Sequence, residues 1–382
     1  MNSRLRPARP RVVRTGPWGL GRTRAWTALL ANVRGCNYVT SSAVNAIDMW
    51  QSGSLDLRAV DRELALARAV GLNSVRVFLP YLVWRSEQDH FLRHIDGFLA
   101  AAAQNGLSVL PVLFDDVNFA GVDPQLGDQP DPIPGVHNSR WTASLPVAGL
   151  EDPGERPWLE RYVRETVSAF AHDARVLVWD VYNEPGNSGV GDRSDWLVEA
   201  SFMWARAVEP VQPLTAGEWE GTDARAPGWL MALSDIASFH AYESPSDHAL
   251  AERLDRVLAS RRPVLSTEWL HRGVGNTFQA MLPIFRAARI GWYSWGLVAG
   301  RTQTYLPWET SRAFVPAGQW QHDLLQADGE AWDASEIALI REELRRECRR
   351  RGRNRARVFS RIVRDAGSRT PGASPGQLTM LP

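Results

Sequence analysis

Lysine is missing from this chain of 382 residues: its positive charge is carried by arginine alone, and 43 basic residues meet 43 acidic ones for a formal net charge of zero. A neutral chain has no overall field, which excludes broad attraction to nucleic acid or acidic lipid. Arginine in place of every lysine reads as coding bias, not as a binding signal. Cysteine is nearly as scarce. Cys36 falls in an expected strand and Cys348 in an Arg-rich helix, so a disulfide framework is excluded and a reducing compartment suits the chain. No apolar run reaches the roughly 20 residues of a membrane helix. The basic start, MNSRLRPARPRVVRTGPWGL, lacks the apolar centre of a secretory signal, and the expectation is a cytoplasmic protein with no membrane partner. HExxH, paired-Cys spacings, GxGxxG and P-loop patterns are all missing. His90 and His94 are four apart but lie away from the expected strand ends. No metal and no cofactor is expected.

What the chain has in excess is tryptophan, 17 residues. Several stand beside expected strand ends or in long loops, where an aromatic face can stack on a sugar ring or simply fill core. Apolar content of 44% and charged content of 23% are those of an ordinary globular chain.

The most informative stretch is VLVWDVYNEPGN, Val176–Asn187. Its apolar half has the length and β-branching of a buried parallel strand. It stops at Asn183, Glu184 and Pro185, where proline forbids further pairing. A carboxylate at the end of a buried strand is costly unless it is used or paired. PVLSTEWLH repeats the arrangement at Glu268.

Around these two stretches the chain alternates strand and helix eight times. The strands are VRGCNYV, SVRVFLP, LSVLPVLFDD, VLVWDVYNEP, PLTAGEW, DIASFHAYES, PVLSTEW and IGWYSWGLV. The helices between them include one capped by Asp56 and closed by Gly71, one over about 95–104, and others over about 158–172, 196–208 and 278–288. Such alternation implies a parallel sheet covered by helices, with right-handed crossovers. Polar residues close most of the strands instead of gathering at one Gly-rich turn. That favours an α/β fold in the form of a single (β/α)8 barrel with enlarged βα loops over an open doubly wound sheet. A long segment, about 117–157, rich in Pro, Asp and Gly, carries HNSRW with Asn138 and Trp141 and reads as a folded loop over the site. The expected domain is 26–347. Residues 1–25 read as a loosely held Arg/Pro-rich lead, and 348–382 as an Arg-rich, solvated extension without the aromatic interleaving of a nucleic-acid arm.

Two strand-end carboxylates in different surroundings suit cleavage of a glycosidic bond. One must protonate the leaving oxygen, and the other must attack or activate water. Glu184 follows Asn183, whose amide can hold a sugar hydroxyl. Glu268 is within the expected reach of Arg76, His240 and Tyr242, which would keep it ionised. On GCNYV, the Arg of SVRVF, YNEP, SFHAY, STEW and YSWGL, the chain over about 33–345 resembles glycoside hydrolase clan A, and within it the family five, cellulase- and mannanase-type retaining glycosidases. The resemblance implies Glu184 as acid/base and Glu268 as nucleophile. It implies Asn183 on the hydroxyl next to the reacting carbon, Arg76 supporting Glu268, and His240 and Tyr242 orienting nucleophile and sugar. Trp295 would be the platform beneath the sugar, Asn37 a further strand-end polar group, and Gln303 and Trp308 substrate contacts, with a carbohydrate as the implied partner. The third strand departs from the family pattern with LFDD. There Asp115 either accepts a sugar hydroxyl or caps the loop. Glu218, a third strand-end carboxylate, reads as a sugar-binding or supporting group. A catalytically silent sugar-binding barrel is the alternative reading.

Overall fold

A computed structural model describes residues 16–219, 228–313 and 315–349. The expected extension falls almost wholly outside these residues, as do the first fifteen positions. The chain divides into two units, Met1–Ile340 and Arg341–Pro382. Of the second, only 341–349 is described; it is helical, with Glu342 paired to Arg345 and Arg349.

Eight parallel strands form the first unit's centre: β1 (Arg34–Asn37), β2 (Ser74–Phe78), β3 (Ser108–Val112), β4 (Trp179–Asn183), β5 (Leu214–Gly217), β6 (Ala237–Ala241), β7 (Val264–Trp269) and β8 (Gly291–Trp295). Their order is β5-β4-β3-β2-β1-β8-β7-β6. The ring closes between β5 and β6 through a Glu218–Phe239 bridge, the His240 N–H donated to the Glu218 carbonyl, and a 2.7 Å contact between the Thr215 and Ser238 hydroxyls. The fold is a (β/α)8 barrel. Leu110, Val112, Val178, Leu265 and Tyr293 fill its interior, with Leu30 and Val33 among the same cluster. A second, larger core lies between strands and helices, the two-layer burial that makes such strands read as continuous apolar runs.

Among the described helices are α1 (Leu20–Leu30), α2 (Ala46–Trp50), α3 (Leu57–Val70), α4 (Tyr81–Gln104), α5 (Val147–Glu151), α6 (Arg156–Ala169), α7 (Asp195–Ala207), α8 (Trp229–Leu233), α9 (His248–Ala259) and α10 (Phe278–Ala288). Asp56 starts α3 by accepting from the Arg58 and Ala59 N–H groups, and Gly71 ends it at φ 107°. The spacing of Val60, Leu64 and Ala67 puts them on one buried stripe.

Two boundaries differ from the sequence reading. α4 begins at Tyr81, not near 95, because Tyr81, Trp84 and Phe91 continue the buried face. The polar run RSEQDH conceals this. Glu87 leaves helical geometry within it, and its carboxylate accepts the Ser52 N–H at 3.1 Å. The segment expected to be loose up to 25 is also built from Trp18 onward. Trp18 is buried, its N–H donates to Asp235 at 2.7 Å, and Arg22 lies over its ring.

Candidate functional site

Arg76 on β2 stands at the centre of the barrel mouth with no solvent exposure. One terminal nitrogen donates to Glu268 Oε1 at 2.7 Å and to Asn37 Oδ1 at 2.8 Å; the other donates to Asp180 Oδ2 at 2.8 Å and Asn183 Oδ1 at 2.6 Å. Asp180 and Asn183 are three apart on β4, so a regular strand would point them to opposite faces. A register shift against β5 between these residues brings both inward, the re-aiming that bulges perform near sites. A second shift, between Phe239 and His240, sets His240 opposite Glu268 on β7. Asn37 faces away from the open cavity: its amide donates to the Thr267 carbonyl and its oxygen accepts from Arg76. It positions Arg76.

Glu184, just past β4, is a non-glycine residue at φ 43°, a conformation that costs on the order of 1–3 kcal/mol unless the surroundings impose it. Here they do. Asp116 accepts from Tyr182 Oη on one side and the Gly186 N–H on the other, and the Glu184 N–H donates to the Gly217 carbonyl. The Glu184 carboxylate meets His240 Nδ1 at 2.5 Å and accepts from Asn187 at 2.6 Å. Glu268 accepts from Tyr242 Oη at 2.9 Å, with His240 Nδ1 at 3.5 Å. Gly217 makes room for this arrangement; a Cβ there would stand 2.9 Å from His240 Nε2 and 3.1 Å from Asn183 Oδ1.

Above the pair opens a cavity of about 590 Å³, inside the roughly 300–1,000 Å³ span of small-molecule sites. Glu184, Glu268, Asn183, Asp115, Tyr242, Trp295, Trp141, Asn138 and Trp308 line it, so the structure brings together most of the residues named from sequence. Asp115 is fully engaged: Oδ1 accepts from Asn183 and the Val117 N–H, Oδ2 from the Trp141 indole. It fixes Asn183 and the following loop. Gln303 is not a cavity residue. Its amide donates to the Ile133 carbonyl and accepts the Gly135 N–H, so it pins the long loop. Glu218 accepts the Gly228 N–H behind the site. The sequence reading omitted Phe119, His137, Asn187, Trp219, Arg312 and His322 from the lining. Two of these carried a local signal: Asn187, three residues beyond Glu184 on the same turn, and Trp219, at the end of PLTAGEW.

Burial pushes Glu184 and Glu268 each up to about 7. Arg76 and the Tyr242 hydroxyl bond Glu268 directly and favour its ionised form, whereas Glu184 has the Asn187 amide, the contact with His240 Nδ1 and Arg76 only at longer range. The pair therefore titrates as a unit, with the charge favoured on Glu268. Burial lowers His240 to about 4, so its ring is neutral. Glu184, His240 and Glu268 each offer a ligand atom within 4.8 Å of the others, a spacing that admits a cation. The Arg76 guanidinium already supplies the positive charge beside Glu268.

The same burial acts on stability. Asp115 and Asp323 rise to about 7 and Asp116 to about 6. His137 falls to about 4 and His322 falls well below its usual value. The raised carboxyls hold a proton in the folded state that the unfolded chain has lost, so they destabilise the fold as pH climbs from about 4 toward 7. The lowered histidines act oppositely, but only up to their unfolded value of about 6.5. The melting temperature is therefore expected to fall between pH 6.5 and 8. A flat or rising calorimetric profile there would contradict this assignment.

Ring, strand-end carboxylates and buried arginine together define the class: a (β/α)8 barrel with its site at the carboxyl ends of the strands. No family model and no curated protein matches the chain. Solved structures do. An exo-β-1,4-mannosidase of Opitutaceae bacterium strain TAV5 is 17% identical with TM-score 0.57, the match covering 83% of this chain and 59% of that one. A GH5_18 protein of Streptomyces cattleya, solved as a glutamate-to-alanine variant with Manβ1-4GlcNAc, is 16% identical with TM-score 0.56, covering 82% and 80%. A hyperthermostable endo-1,4-β-D-mannanase of Thermotoga petrophila RKU-1 is 14% identical with TM-score 0.51, covering 82% and 99%. These barrels share this chain's fold.

Proposed function

We propose that the chain is a retaining β-glycosidase working by double displacement. One observation carries the reading. Across the mouth of the barrel a Glu184 oxygen and a Glu268 oxygen lie within 4.8 Å, near the roughly 5–5.5 Å of retaining pairs and short of the ~6.5–9.5 Å that leaves room for an attacking water. Glu268, held ionised by Arg76, attacks the anomeric carbon. Glu184, protonated in its buried site, gives its proton to the departing oxygen. A water then enters, Glu184 takes its proton, and the hydroxyl displaces Glu268 with the original configuration restored. The neutral His240 ring lies against the Glu184 carboxyl and orients it, and the Tyr242 hydroxyl orients Glu268. Trp295, Trp141 and Trp308 offer aromatic faces to the sugar. The fold neighbours named for β-mannosides and bound to Manβ1-4GlcNAc put β-linked mannosides first in a substrate panel.

The test is turnover of aryl β-glycosides and β-linked oligosaccharides, with product configuration followed by NMR. The expected first-formed product is the β-anomer. An α-product would replace double displacement by direct water attack. Saturable sugar binding without turnover would make the barrel a binding module.

A further inference from the structure

We infer that the site admits a single sugar on the nucleophile side, so that the enzyme removes terminal β-linked residues one at a time. This deepens the retaining reading and rests on it. The leaving oxygen must lie beside Glu184, whose neighbours Asn187, Ser188 and Trp219 form the β4–β5 wall of the cavity. The attacked ring therefore sits on the other side of the carboxylate pair, over Arg76 and toward Trp295 and Trp141. An enzyme that cleaves within a chain needs a groove continuing past that ring.

Here the groove is closed. Residues 117–146 leave β3 and reach the loop after β8, and on the way they bond to Asn45 and Gln51 of the segment that follows β1. They are tied down at the far end. The Asn138 N–H donates to the Thr302 carbonyl at 2.8 Å, Gln303 bonds Ile133 and Gly135 at 2.8 and 3.0 Å, and the Trp308 indole donates to His137 at 3.1 Å. They are tied at the middle too. Gln51 exchanges two bonds with Gly127, at 2.8 and 3.0 Å, and Asn45 donates to the Arg140 carbonyl at 2.9 Å. Trp141 is the wall this strap presents. Its indole donates to Asp115 and its ring packs edge-on against Phe78 and Trp295. Against the far side of this wall, among the described residues, lie two voids of only about 20 Å³ each, one beside Tyr38 and Leu297 and one beside Pro80 and Phe114. Such a void holds about one water, and a pyranose ring with its hydroxyls is many times larger.

Each turnover then breaks the bond between the terminal anomeric carbon and the next residue's oxygen. The Glu184 proton goes to that oxygen, and the elements of water are divided between the freed sugar and Glu184.

The experiment compares two sets of mechanism-based inactivators on the full chain, by intact mass. One set is activated 2-deoxy-2-fluoro monoglycosides in manno, gluco, galacto and xylo configuration; the other is the same compounds extended by one β1-4-linked sugar. A one-sugar adduct on Glu268 is expected, formed roughly 100-fold faster than any two-sugar adduct. Two-sugar adducts at comparable or higher rates would show a second subsite and overturn the restriction while leaving the retaining mechanism intact. No adduct from either set would remove the mechanism, and the restriction with it.

Discussion

Replacing Glu268 by alanine is expected to lower kcat by on the order of 10⁴- to 10⁶-fold for every substrate, the loss typical of removing a covalent nucleophile from an otherwise intact site. The loss should not depend on the leaving group, because no substrate can reach the covalent intermediate without this oxygen. Azide, small enough for the space vacated, should restore turnover and give the α-glycosyl azide, the mirror of the normal outcome. Glu184→Ala should behave differently. Substrates whose leaving group needs no proton should still glycosylate Glu268 at near wild-type rates, while natural glycosides lose about 10²- to 10⁴-fold. Azide should then yield the β-azide. The wild-type profile of kcat/KM against pH should be a narrow bell centred near neutrality, since burial places both carboxyls at about 7. Glu184→Gln should lose the alkaline limb with an activated substrate. If Glu268→Ala keeps wild-type turnover, or both azide products share one configuration, the assignment of roles is wrong.

Much of this site was legible in the sequence because the relevant signals are local. A buried strand ending in Asn-Glu-Pro announces its own polar terminus, and so does the strand ending in Thr-Glu-Trp. Eight such strands in alternation with helices leave little choice of architecture. What stayed hidden is non-local. Nothing around Asn37 says that its amide turns to the Thr267 carbonyl and its oxygen to Arg76. Asp115 could be read as sugar ligand or loop cap until Asn183, Val117 and Trp141 were seen to occupy its oxygens. Gln303 lies in a segment that looks like substrate-binding chain, yet its hydrogen bonds go to residues about 170 positions away. The two register shifts that turn Asn183 and His240 inward are properties of strand pairs, which no single-strand pattern records.

The other large effect is expected at Arg76. Substituting it with methionine keeps the volume but strips the cation from four acceptors, Glu268, Asp180, Asn183 and Asn37. Asp180 has no solvent exposure and no other cation within pairing distance among the described residues, so the substitution leaves a buried charge uncompensated. Breaking a buried pair from one side costs about 3–5 kcal/mol. That is a fifth or more of a typical domain's stability of about 5–15 kcal/mol, and it should appear as a large drop in denaturant midpoint. Adding Asp180→Asn removes the orphaned charge, so the double variant should recover a substantial part of the loss, with a coupling energy above about 1 kcal/mol between the two positions. Activity should not follow stability. In the double variant Glu268 still lacks its cation, and burial then holds it protonated to higher pH. The acid limb of kcat/KM should therefore move upward and the neutral-pH rate should stay low. An Arg76→Met protein within about 1 kcal/mol of wild type, or a double variant no more stable than the single one, would mean that this arginine fills space and carries little of the charge balance around Glu268.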